Sequence, residues 1–90
     1  MKLVVTVVGK DRVGIIAMVS RILAENDVNI LNINQNIMDG FFNMVMLAQT
    51  GDESKASLAT LQKLLKDKGE AMGLSIKVQH QDIFSAMHEV

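Results

Sequence analysis

Apolar residues recur along this chain with two different periods, and the changes of period mark out the elements. Leu3-Val4-Val5-Thr6-Val7-Val8 is short, β-branched and almost continuously apolar, the pattern of a central strand covered on both faces. Gly9 punctuates its end. From Ile15 the spacing turns helical: Ile15, Ile16, Val19, Ile22 and Leu23 form one stripe, with Arg21, Ala24 and Glu25 off it. Asn26-Asp27 stops this helix, since both residues bond locally and tolerate left-handed backbone.

A second extended segment runs from Val28 to Met38, and the Asp39-Gly40 that follows is a strong hairpin signal, because a type I′ turn needs positive φ at both central positions. A two-residue loop fixes the register. Met38 then faces Phe41, Ile37 faces Phe42, Gln35 faces Met44 and Ile33 faces Met46. Ile33, Ile37, Phe42, Met44 and Met46 share the face expected under the helices. The opposite face mixes Asn32, Asn34, Asn36 and Asn43 with Met38, Phe41, Val45 and Leu47, a composition suited to meeting another protein surface.

A second helix is expected from near Ser54, with Asp52 or Ser54 as cap, presenting Leu58, Leu61, Leu65 and Met72 inward and continuing through Gly69 to about Met72. Leu74, Ile76 and Val78 then alternate with Ser75, Lys77 and Gln79, as in a half-buried edge strand. The fold class is therefore α+β: a ferredoxin-like βαββαβ sandwich in which two helices cover one face of a four-stranded antiparallel sheet. A short C-terminal helix, capped by Asp82, docks through Ile83, Phe84 and Met87. The whole chain, 1–90, reads as a single domain, with a body over 1–80 and a helical tail over 81–90.

Composition narrows the function classes. A domain of 90 residues buries a modest fraction of its surface and gains from self-association. The longest apolar runs fall short of a membrane span and the first residues lack a signal-peptide pattern. A cytoplasmic protein is therefore expected, and with no cysteine there is neither a disulfide framework nor a thiolate metal site, a composition compatible with a reducing compartment. Nine basic and ten acidic residues, with three Phe as the only aromatics, give no basic stripe and few stacking platforms, so nucleic acid is not expected as a partner.

The loop Val8-Gly9-Lys10-Asp11-Arg12-Val13-Gly14-Ile15-Ile16 lies where a phosphate-binding loop would. Gly9 and Gly14 have the right spacing, but Ile15 and Ile16 stand where Lys and a hydroxyl residue are required, and the dinucleotide fingerprint G-x-G-x-x-G is absent. What remains is a helix N-terminus whose free N–H groups and positive dipole end suit a carboxylate. Two readings stay open: Gly14 admits a ligand or partner, or it permits tight packing while Asp11 caps its own helix.

Other candidate chemistry is sparse. His80 and His88 are the only histidines, and neither spacing nor neighbours suggest zinc. Thr6 and Ser20 have no base nearby, and no tuned carboxylate pair stands out, so neither an enzyme nor a cofactor is expected. Among the seven Met, Met18, Met44, Met46, Met72 and Met87 fit core positions. The amides Asn29, Asn32, Asn34, Gln35 and Asn36 either form an exposed polar face or hold the ends of a zwitterion.

The combination VVGKDRVGIIAMVSRILAENDVNILNI resembles the signature of ACT domains, ligand-binding regulatory modules with this βαββαβ order. Their first loop commonly reads G-x-D-R-P-G. Gly9, Asp11, Arg12 and Gly14 match it, Asn29-Ile30 matches the start of the second strand, and Val13 replaces the usual Pro, leaving the loop less rigid. The ending QHQDIFSAMHEV is similar to that of small stand-alone ACT proteins. The resemblance implies a homodimer or higher assembly that binds an amino acid or similar small molecule between subunits. On that basis Asp11, Arg12, Val13, Gly14 and Ile15 supply loop contacts, while Asn29, Ile30 and Asn32 come from the partner. The alternative is a subunit that docks on an enzyme or regulator through its sheet face.

Overall fold

The computed structural model describes residues 1–51 and 56–88. In chain order it contains β1 (Lys2–Lys10), α1 (Ile15–Glu25), β2 (Val28–Met38), β3 (Phe41–Thr50), α2 (Leu58–Ala71), β4 (Leu74–His80) and α3 (Gln81–His88). The four strands form one antiparallel sheet in the order β2-β3-β1-β4. This is the ferredoxin-like βαββαβ arrangement with a short C-terminal helix.

The Asp39-Gly40 turn has positive φ at both residues, 51° and 79°, and the register it sets is the expected one, from Met38↔Phe41 through Ile33↔Met46. Leu3, Val5 and Val7 of β1, Phe42, Met44 and Met46 of β3, and Leu74, Ile76 and Val78 of β4 form the sheet side of the core. Ile15, Val19 and Leu23 of α1 and Leu61 and Leu65 of α2 close it from the other side. Within α2, Gly69 is buried against Ile76 of β4, where a Cβ would stand 2.8 Å from two side-chain carbons.

Ile33 and Ile37 depart from the expected burial. They share the helix-side face with Phe42 and Met46, yet are 43% and 56% exposed. β2 is an edge strand, and two helices are too narrow to cover all four strands, so the apolar stripe runs past the helical layer. β1 also differs from expectation at one end. Val4, on the face away from α1 and α2, is buried, whereas Val8 on that same face is exposed. α3 accounts for the difference: it contacts β1 and β4 and neither of the other helices, so it lies on the otherwise open face near Val4 and leaves Val8 uncovered.

The helix ends refine the boundaries. α2 starts at Leu58 with Ser57 as its N-cap, whose Oγ accepts from the Thr60 N–H at 3.1 Å; the expected caps Asp52 and Ser54 lie outside the described residues. At α3, Asp82 falls in the first turn instead of capping it, and its N–H donates to Nδ1 of His80 at 3.2 Å. Phe84 is half-buried and Ile83 exposed. The expectations for the side chains of Met87 and His88 fall outside the described residues.

Candidate functional site

β1 ends at Lys10 and α1 begins at Ile15, so residues 11–14 form the connecting loop. The two glycines of the Gly9–Gly14 motif serve different purposes. Gly9 lies inside β1, paired with Phe42 and Leu74, and a Cβ there would stand 2.9 Å from the Gly73 carbonyl oxygen and 2.7 Å from Cδ2 of Leu74. Its missing side chain lets β4 begin close to β1. Gly14 has φ of 95° and open space around its Cβ position, with nothing within 4 Å. Positive φ explains Gly14 and tight packing does not.

Asp11 does not cap α1. Gly14 is the N-cap, with no side-chain hydrogen bond to the first turn. The first intrahelical bond runs from the Met18 N–H to the Gly14 carbonyl at 3.0 Å, which leaves the amides of Ile15, Ile16 and Ala17 ahead of the ladder. The loop backbone is held elsewhere, because the Asp11 N–H donates to the carbonyl oxygen of Gly40 at 2.8 Å. Hairpin tip and loop thus form one unit.

A depression of about 280 Å³ opens beside this unit. Asp11, Arg12, Gly14 and Ile15 line it together with the next two residues of α1; the far wall is Gln35 and Ile37 of β2 and Phe42 of β3. Val13 is 96% exposed and lines none of it. Among the described residues the ion pairs are Lys63–Asp67 and His80–Asp82, so the Arg12 and Asp11 charges are uncommitted. A positive helix end, a guanidinium and a carboxylate beside an apolar wall are complementary to a small zwitterion with an apolar body.

Asn29, Ile30 and Asn32 do not reach this depression within one chain. β2 runs in the same direction as β1 with β3 between them, so its start is level with Lys2 and Leu3 and its end with the loop. At about 3.3 Å per residue, Asn29 sits roughly 25 Å along the strand from Ile37. Asn29 and Asn32 lie on the open face, while Ile30 faces the helices and packs against the core. Gln35, Ile37 and Phe42 take the positions that one chain offers to the loop. Sequence reading missed them as lining residues, although the Gly9↔Phe42 pairing that brings them there follows once β1 is placed beside β3.

The other candidates take structural roles. Met44 and Met46 are buried, and Met18 and Met72 pack at the edge of the core. Ser20 Oγ bonds to the Ala17 carbonyl at 3.3 Å. Among the described residues no group of three or more His, Cys, Asp or Glu side chains is placed to hold a metal ion, and no helix is long and apolar enough to cross a membrane.

Comparison with known proteins follows the same outline. Residues 1–79 match the ACT domain. The UPF0237 protein of Clostridium perfringens is 51% identical over 90 residues, covering 100% of both chains. That of Methanocaldococcus jannaschii is 48% identical over 89 residues, with 99% of this chain and 98% of the relative covered. Among solved structures, an ACT domain protein from Streptococcus pneumoniae superposes with a TM-score of 0.79 at 35% identity, covering 98% of each chain. This chain belongs to the ACT domain family, and its relatives of matching length are small single-ACT proteins.

Proposed function

We propose that the chain is a non-enzymatic regulatory module of the cytoplasm, a homodimer that binds an amino acid or similar small molecule at the seam between subunits. Occupancy then passes on as a change in association or shape. The observation that carries this reading is the depression in which the uncapped start of α1 and the uncommitted Arg12 meet the end of β2. Family membership supports it, since ACT domains generally bind small molecules and often pair.

The two sheet edges support pairing through β2. On β4 the carbonyl oxygen of Val78 accepts from Nε2 of Gln62 at 2.8 Å, so a side chain of α2 already occupies an acceptor of that strand. β2 is different: residues 31–38 are all exposed, with Leu31, Ile33 and Ile37 among them. An edge of this kind is a template for a second strand. In a twofold pairing of β2 with its copy, the start of one strand lies beside the end of the other. Asn29, Ile30 and Asn32 of the second copy then approach the loop of the first, and the separation within one chain is bridged by its partner.

Sedimentation equilibrium and calorimetric titration with the common amino acids test this reading. A dimer that takes up one of them with a dissociation constant below millimolar, and that loses affinity about tenfold in Arg12→Gln, is the expected result; a charged hydrogen bond of about 1.5 kcal/mol or more corresponds to that factor. Absence of heat with every amino acid at millimolar concentration counts against it.

The open sheet face favours a second reading. Val8, Phe41 and Val45 are exposed there and Leu47 is half-buried, an apolar patch suited to docking on an enzyme or regulator with the loop empty. Recovery of a stoichiometric partner that ignores added amino acids, and is lost in Val45→Lys, would favour docking over ligand sensing.

A further inference from the structure

We infer that the loop depression selects an uncharged aliphatic amino acid, and that Ile37 of the same chain, not a residue of a second copy, sets that choice. The inference rests on the ligand reading above and adds the class of side chain the site accepts.

Size is the first constraint. At about 280 Å³ the depression falls just below the range of drug-sized ligand sites, which begins near 300 Å³. It suits a molecule of amino-acid dimensions. Polarity is the second. The charged groups, Arg12 and Asp11, both belong to the loop side, where the helix terminus also stands, so the α-carboxylate and α-ammonium are drawn to that wall. The ligand's side chain is thereby turned towards the opposite wall.

That wall is apolar apart from one amide. Phe42 is almost fully buried, and Ile37, its cross-strand neighbour on the same face, is still 56% exposed. Ile37 points to the helix-side face of the sheet, yet no helix covers it. Covering its exposed apolar surface is favourable at about 25 cal/mol per Å², and only an apolar group gains this without desolvation cost. A carboxylate or ammonium placed there would lose water and find only the Gln35 amide in exchange. Gln35, opposite Met44 on the same face, also lines the depression, and its amide is the one group of this wall that can accept from the α-ammonium held at the loop.

The test uses the full chain and a fixed set of probes: leucine, isoleucine, alanine, serine, aspartate and lysine, each titrated by calorimetry. Leucine or isoleucine is expected to bind at least tenfold more tightly than alanine or serine, following the gain of roughly tenfold or more per methylene in an apolar pocket. In Ile37→Asn that preference should fall to about twofold or less, whereas Ile37→Val retains most of it and Lys77→Ala, on the opposite face of the sheet, leaves it unchanged. In Gln35→Ala all the amino acids should weaken together by severalfold. Thermal melting and sedimentation of the same samples show that folding and assembly persist.

Each contrary result has a distinct meaning. Equal affinity for leucine and serine overturns the aliphatic assignment and leaves the ligand reading standing. Aliphatic preference that survives Ile37→Asn overturns the role of Ile37. Failure of every probe to bind overturns this inference, and the titration with the full set of common amino acids then decides the reading it rests on.

Discussion

The Asp11 N–H donates to the carbonyl oxygen of Gly40 at 2.8 Å, so the loop that opens α1 hangs from the tip of the β2–β3 hairpin. Two segments almost thirty positions apart in sequence share one anchor. Gly40 holds φ of 79°, and replacing it by Ala should cost about 1 kcal/mol because the turn demands positive φ. In a domain of this size that loss lowers the melting temperature by about 4–8 °C. The Asp11 amide should also exchange faster with solvent deuterium in Gly40→Ala than in the parent chain, which amide-resolved exchange can read.

Gly9 and Gly14 should respond oppositely to the size of the residue that replaces them. At Gly9 the obstacle is space, with the Gly73 carbonyl oxygen 2.9 Å from a built Cβ. Gly9→Ala is therefore expected to cost about 1–3 kcal/mol, and Gly9→Asn more. At Gly14 the obstacle is φ of 95° in open space. Asn tolerates left-handed backbone better than Ala, so Gly14→Asn should lose less stability than Gly14→Ala, which forfeits about 1 kcal/mol. Urea denaturation of the four variants checks the reversal.

Gln62→Ala should cost about 0.5–1.5 kcal/mol through loss of the bond to Val78. It also frees an acceptor on β4. Concentration-dependent association beyond the parent's state, followed by sedimentation velocity, is the expected second effect.

Ile33→Lys should separate assembly from folding. The side chain is 43% exposed, so monomer stability is expected to change by no more than about 0.5 kcal/mol. A charge on the β2 edge opposes strand addition. The assembled mass in light scattering should fall towards that of one chain while the circular dichroism spectrum is retained.

Much of the fold was legible because its strongest signals are local. Asp39-Gly40 dictates a two-residue turn, and from that turn every pairing between Ile33 and Met46 follows. The stripe of Ile15, Val19 and Leu23 likewise needs no tertiary knowledge. Burial of Ile33 and Ile37 was misjudged because alternation reports which face a residue occupies and says nothing of how far the helices extend across that face. The start of α2 at Leu58 depends on the Ser57 geometry, which residue type alone does not reveal where several short polar residues precede a helix.

The candidate site was legible on one side. Asp11, Arg12, Gly14 and Ile15 belong to a contiguous motif, so their grouping needed no fold. Gln35, Ile37 and Phe42 arrive from across the sheet through two strand pairings. Their place at the loop is a product of topology, and no spacing within β2 marks it.

The register shift between Ile30 and Asn32 gives β2 one unmatched residue, Leu31, and divides the strand into two reading frames. Before it, odd positions point to the open face; after it, even positions do. Asn29 and Asn32, three apart in sequence, therefore stand on the same side, and Ile30 and Ile33 share the other. Deleting Leu31 would leave both frames intact on either side, whereas deleting Asn34 would transpose every side chain on one flank of the cut relative to the other. The strand thus carries a built-in punctuation mark, and tolerance to single deletions should peak there.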